Sequence, residues 1–164
     1  MNSTSVPWWR GARGEWYVFG QLVLMALVFL GPRTLPGLPP WPAPLVRACP
    51  VTGAVLSVAG VLLLLSGLVR LGRNLTPLPY PTAHANLIQS GPYRIVRHPM
   101  YAGGIAIAYG WALFVCGWLT LAYATLLFAF LDAKATREER WLTSRFPDYP
   151  AYQARVRKLV SFIH

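Results

Sequence analysis

Acidic residues are scarce: Glu15, Asp132, Glu138, Glu139 and Asp148 are all that 164 positions hold. Residues of either charge make up 12% of the chain, about half of the roughly 25% usual for a soluble domain. The only cysteines are Cys49 and Cys116, too few for a disulfide scaffold, and no bridge is expected. The three histidines, His84, His98 and His164, form no close ligand pattern with the acids or cysteines, so no metal site is expected. No glycine-rich phosphate loop follows a strand pattern, which excludes a nucleotide-binding α/β domain. A nucleophilic triad is equally unsupported. What the chain does hold is apolar residues, 55% of the total, and this excludes disorder. It also holds 15 Lys and Arg, which leave a net charge of +10. A nucleic-acid partner would account for the charge but not for the apolar content.

The apolar residues lie in long uncharged runs. Trp16 to Pro32 gives 17 residues, Val51 to Val69 gives 19 and Pro99 to Leu131 gives 33. A bilayer core of about 30 Å takes about 20 helical residues at about 1.5 Å each. The first two runs each suit one span. The third suits a tight hairpin of two short helices, broken near Cys116-Gly117-Trp118, where glycine tolerates unusual backbone geometry and aromatics suit an interface. The expected fold is an all-α integral membrane protein, a single domain over 1–164. Its four transmembrane helices are about 15–31, 51–71, 99–116 and 118–136. The competing reading is a soluble bundle of fully buried helices.

Charge placement agrees with four spans. With the N-terminus inside, 13 of the 15 basic residues fall on the inner side, and only Arg33 and Arg47 fall outside. The positive-inside rule predicts this bias. Three spans would put the C-terminal basic cluster outside. The N-terminal run has the basic flank of a signal peptide but no small-x-small cleavage site after it, so an uncleaved first span is expected. Arginine outnumbers lysine 13 to 2, which points to a GC-rich bacterial genome and hence a bacterial inner membrane. Both termini and the active site would then face the cytoplasm. No feature of the sequence sets an oligomeric state.

Seven of the 15 prolines fall between Pro32 and Pro50, a segment that reads as a stiff external loop and not as a regular helix. The segment from Arg70 to His98 carries Asn74, Thr76, Pro77, Pro79, Pro81, His84 and Asn86, a polar and rigid composition. From Asp148 to Val160, Tyr149, Tyr152, Val156 and Leu159 recur at helical spacing, with Arg155, Arg157 and Lys158 mostly off that stripe. This predicts a short interfacial helix on the inner face.

Polar residues concentrate at the inner ends of the third and fourth spans. In Gly91-Pro92-Tyr93-Arg94-Ile95-Val96-Arg97-His98-Pro99, the Gly-Pro pair starts a turn and Pro99 suits the first turn of a helix. Arg97 and His98 then precede a helix N-terminus, whose free N–H groups and positive dipole end favour an anion. Gly103 and Gly104, one turn on, allow a bulky group to approach the helix, or allow close helix packing. Asp132, Glu138 and Glu139 place three of the five acids within eight residues. They serve either as salt-bridge partners along the helix, such as Lys134 with Glu138, or as carboxylates for a cation or ammonium group.

The stretch Gly91-Pro92-Tyr93, Arg97-His98-Pro99, Tyr101 and Gly103 resembles the signature of isoprenylcysteine carboxyl methyltransferases and their bacterial relatives. So do the paired Glu138-Glu139, followed by Leu142, Phe146, Tyr149, Tyr152 and Arg155-Val156, and the upstream Asn74-Leu75-Thr76-Pro77. The resemblance covers residues 70–160, the family-like catalytic and cofactor-binding portion. The spacing Phe146-Pro147-Asp148-Tyr149 is one residue shorter than in many relatives. The wider group includes phospholipid N-methyltransferases and thiol methyltransferases.

The resemblance implies a membrane enzyme that uses S-adenosylmethionine and releases S-adenosylhomocysteine. Tyr93, His98, Tyr101, Gly103, Gly104 and Glu138 or Glu139 would line the cofactor pocket. Arg97, Glu139 and Arg155 would lie closest to the reacting groups. The implied partners are the lipid bilayer and a lipophilic methyl acceptor, with no nucleic acid. The acceptor is an isoprenylcysteine-like carboxylate, with a phospholipid amine or a small thiol or amine as the alternative. A non-catalytic four-span protein is the reading from another class.

Overall fold

The structure, a computed structural model, describes residues 15–72 and 87–159. The expectations for Asn74, Leu75, Thr76, Pro77 and His84 lie outside the described residues. Among those described, the fold is all-helical: α1 (Glu15–Leu30), α2 (Ala43–Leu71), α3 (Pro99–Phe114), α4 (Trp118–Arg145) and α5 (Tyr149–Arg155), with a 3-10 turn at Gly91–Arg94. α2 packs chiefly on α3, and α1 chiefly on α4, while α3 and α4 form a hairpin.

Two of these helices, α2 and α4, are long and apolar enough to cross a membrane. Only 11% of the apolar window of α2 is buried. Its exposed side chains include Val51, Val55, Val58, Leu62 and Val69, which follow helical spacing down one face. The opposite face carries Gly53, Gly60 and Gly67, all buried. A bundle made to face water would put its apolar stripe inward. Here the glycines face inward and the branched side chains outward, an arrangement suited to hydrocarbon.

The glycines explain the α2–α3 contact. A Cβ added at Gly60 would lie 2.7 Å from the Gly103 carbonyl, and one at Gly103 would lie 2.6 Å from the Gly60 carbonyl. Gly110 meets the Gly53 carbonyl in the same way, at 2.7 Å. The two backbones therefore touch without side chains between them, which gains dispersion contacts that lipid cannot replace. Around α4, Val28, Ile105, Ala108, Ala124, Leu127, Leu131 and Leu159 form the hydrophobic core.

Three sequence expectations need correction. The proline-rich segment is helical from Ala43, so the second helix begins eight residues before position 51. Pro44 lies in the first turn, where its missing N–H would be unpaired anyway, and Pro50 sits inside the helix at the cost of one hydrogen bond. The fourth helix continues past 136 to Arg145 and carries the acidic pair into the site. The C-terminal helix ends at Arg155, with Val156 extended; Val96 and Arg157 then pair in a parallel bridge.

The hairpin break falls where expected, between Phe114 and Trp118. The left-handed residue is Cys116 (φ 47°), not the glycine beside it. Gly117 is required for closeness instead, since a Cβ there would lie 2.5 Å from Thr120 Oγ1. At this end Trp118 donates its indole N–H to the Pro39 carbonyl at 2.9 Å and packs on Trp41, ring centroids 4.7 Å apart.

Candidate active site

The site is assembled at the other end of the bundle. Gly91 takes a left-handed backbone (φ 64°), and the 3-10 turn that it opens closes with the Ile95 and Val96 amides on the Pro92 carbonyl. This brings Arg97 and His98 to the start of α3, facing the charged last third of α4. The tail after α5 runs alongside: the Arg97 amide donates to the Arg157 carbonyl at 2.7 Å, and the His98 amide to the Lys158 carbonyl at 3.1 Å. Lys158 is in turn tied to Asp132 Oδ1 and Thr136 Oγ1, both at 2.6 Å. Three segments far apart in sequence therefore converge.

Glu139 is the hub of this convergence. Arg97 grips it through Nε at 2.7 Å and Nη2 at 3.2 Å, His98 Nε2 lies 3.1 Å away, and Gln153 Nε2 donates at 3.0 Å. The Glu139 side chain is only 8% exposed. Burial alone would raise its carboxyl, but the hydrogen bonds and charges of His98 and Arg97 outweigh that and hold it down at about 2. Arg97 Nη1 also donates to the carbonyls of Gln153, at 3.0 Å, and Val156. Four of the five guanidinium N–H groups are thereby used, which leaves one for anything else.

Glu138 is different. It is a quarter exposed and accepts from the Tyr101 hydroxyl at 3.0 Å, with His98 Nδ1 at 3.9 Å. Burial pushes its carboxyl above the ordinary value, against the lowering effects of His98, Tyr101 and Lys134. The His98 and Tyr101 rings are parallel, 5.4 Å apart. Two neighbouring carboxylates are thus set in opposite directions, one closed and one partly open.

The remaining expected residues are dispersed around this core. Tyr93 is buried, with its hydroxyl 3.5 Å from the Gly67 carbonyl, so it joins the site to α2. Gly103 is taken up by the α2 contact described above, and Gly104 has open space where a Cβ would be. Arg155 is exposed and bonds the Ala151 carbonyl and Gln89, yet it lines the same cleft of about 340 Å³ as Arg97. Lys134, an expected partner of Glu138, donates to Gln21 Oε1 at 2.7 Å, and its charge also acts on Glu138.

Sequence reasoning assigned no role here to Gln153, Tyr149 or Tyr152. Tyr152 donates to the Tyr93 carbonyl at 2.6 Å, and burial pushes its hydroxyl up to about 12, so it stays a donor. Tyr149 is 1% exposed and its hydroxyl has no partner among the described residues. The helical spacing of these tyrosines suggested an interfacial face, and the family motif included both without giving either a role. Nothing in the local pattern marks Gln153. Among the described residues no cluster suited to a metal occurs.

A model of the phospholipid methyltransferase family matches residues 48–148, more than half of the chain and most of the site. The chain belongs to this family. Relatives within reach of it include protein-S-isoprenylcysteine O-methyltransferase B of Arabidopsis thaliana, 28% identical over 68% of this chain and 59% of its own length. A probable protein-S-isoprenylcysteine O-methyltransferase of Oryza sativa subsp. indica is 31% identical over 68% of this chain and 60% of its own length. The cobalt-zinc-cadmium resistance protein CzcN of Cupriavidus metallidurans is 30% identical over 87% of this chain and 60% of its own length. The chain thus spans about three-fifths of the length of the curated relatives it matches. The resemblance to isoprenylcysteine methyltransferases read from the two motifs is borne out by these relatives. α1 lies outside the stretch that the family model matches.

Proposed function

We propose that this protein is a membrane methyltransferase that uses S-adenosylmethionine, with an isoprenylcysteine-like carboxylate as the acceptor. The observation that carries the reading is the adjacent glutamate pair, Glu139 closed within an Arg97–His98–Gln153 cage and Glu138 left partly open beside it. S-adenosylmethionine, when bound, supplies an activated methyl group on a sulfonium whose leaving group is neutral. The protein then has to bind, orient and exclude water.

The residues fit that task. Glu138 is the carboxylate with room for a cationic group, and Tyr101 fixes its orientation. The buried Tyr149 hydroxyl without a partner is a polar atom that a ligand or water would satisfy. The tail takes the Arg97 and His98 amides, so the first-turn amides of Met100 and Tyr101 are the N–H groups that would suit a carboxylate. Glu139 holds Arg97 at the mouth of the basic cleft, which Arg155, Arg157 and Lys158 also line. An acceptor carboxylate is already ionised at neutral pH and needs no base, only a cation to align it. Gly103 and Tyr93 support this arrangement from the α2 side. In this reading α1, α2, α3 and α4 each cross the bilayer, with the charged end in the cytoplasm of a bacterium.

The test is calorimetric binding of S-adenosylmethionine to the purified full chain, followed by labelled methyl transfer to prenyl-cysteines, ethanolamine phospholipids, thiols and amines. Binding with transfer to the prenyl-cysteine is expected. The description of the matching family favours a second reading, phospholipid N-methylation. Transfer to the phospholipid alone would select it. No binding at all would leave a non-catalytic membrane protein.

A further inference from the structure

Lys134 is 2% exposed on α4, and neither sequence motif includes it. A buried ammonium is costly unless it is paired, and ionisable residues at the end of an apolar stretch tend to serve a site. Its Nζ donates to Gln21 Oε1 of α1 at 2.7 Å and lies 5.1 Å from the centroid of the Tyr101 ring on α3. The Tyr101 hydroxyl donates at 3.0 Å to Glu138, one turn beyond Lys134 on α4. A polar chain thus runs from α1 through the bundle interior to the partly open carboxylate. Adhesion between α1 and α4 does not require it. Gly20 already admits Phe130 against α1, and the Tyr17 ring packs on Phe130 at 5.6 Å.

We propose that Lys134 is a positioning residue: held by Gln21, it fixes the Tyr101 ring and, through the Tyr101 hydroxyl, sets the Glu138 carboxylate to receive a cationic ligand. This makes α1 part of the binding unit, although it lies outside the stretch matched to the family. The attraction of an ammonium to an aromatic face strengthens when both are desolvated, as here. The inference rests on the reading that Glu138 faces the cationic part of S-adenosylmethionine.

The experiment compares the full-length protein in detergent with Lys134→Met, Glu138→Gln and the double variant, by calorimetric titration with S-adenosylmethionine and by steady-state kinetics. Each single variant should bind about 10-fold more weakly, and the double variant no more than about 2-fold worse than the weaker single, because both changes disable one device. For Lys134→Met the loss should appear in KM for the donor, with kcat at saturation within about 2-fold of wild type. Losses that multiply to about 100-fold, or a lowered melting temperature with unchanged affinity, would mean a structural bolt and overturn the proposal. If Lys134→Met does not accumulate, Gln21→Leu carries the test, with about 3-fold weaker binding expected and wild-type affinity overturning it. A wild-type protein that takes up no S-adenosylmethionine sinks the functional reading itself. Wild-type uptake that Lys134→Met leaves unchanged sinks this inference alone.

Discussion

Glu138 and Glu139 share a peptide bond and have opposite surroundings. A helix turns about 100° per residue, so neighbours face different partners. Glu139 faces Arg97, His98 and Gln153; Glu138 faces Tyr101. Because the Glu139 carboxyl drops from 4.5 to about 2 on folding, it stabilises the protein fully above about pH 4.5. That contribution fades as pH falls through 2. Glu139→Gln should therefore cost about 3 kcal/mol at neutral pH, where it leaves Arg97 buried without its counter-charge. The gap to wild type should close on acidification, and thermal unfolding of the detergent-solubilised proteins from neutral pH down to about pH 2 measures it. A gap independent of pH would refute the ion-pair account. The sequence marked this pair by its rarity, but not which member is enclosed, because Gln153 arrives from a helix 14 residues away.

At the scale of elements, α2 and α3 are joined by glycine rather than by interlocking side chains. Gly60→Leu would drive a side chain into the Gly103 carbonyl and Ile107, so the helices must separate. A loss of about 1–3 kcal/mol is expected from such overpacking, visible as a lower melting temperature. Gly104→Ala meets nothing within 4 Å and should leave stability unchanged. If Gly104 borders the cofactor, as the family resemblance implies, the same alanine should weaken S-adenosylmethionine binding. Normal stability with normal binding would remove Gly104 from the site. The heptad spacing of Gly53, Gly60 and Gly67 was present in the sequence. Its meaning depended on Gly103 and Gly110 lying opposite. Pro50 likewise read as a helix breaker, yet within so apolar a helix the alternative, exposing unpaired backbone to lipid, costs more than one missing bond.

For the whole molecule, the two ends have different chemistry. The Trp41–Trp118 pair and the two cysteines lie at one end, and the glutamate cluster and basic tail at the other. Cys49 and Cys116 are both partly accessible. With the charged end in the cytoplasm, a membrane-impermeant maleimide should label them on intact cells. In inverted vesicles labelling should require lysis. The reverse pattern would invert the proposed topology and place the site outside.

Some of this was fixed by the sequence alone. Runs of 17, 19 and 33 uncharged residues leave little choice but apolar helices, because backbone groups away from water must bond within their own segment. The hairpin at Cys116-Gly117 and the Arg97-His98-Pro99 helix start were also local decisions, set by turn and capping chemistry. Tertiary structure decided the rest. It showed that the tail leaves its helix at Arg155 to lie beside Arg97, that Glu139 is caged while Glu138 is not, and that Gln21 on the first helix meets Lys134 on the fourth. These are contacts between residues 14 to 113 positions apart. Periodicity reports which face of a helix is apolar; only packing determines which polar groups meet when those faces close.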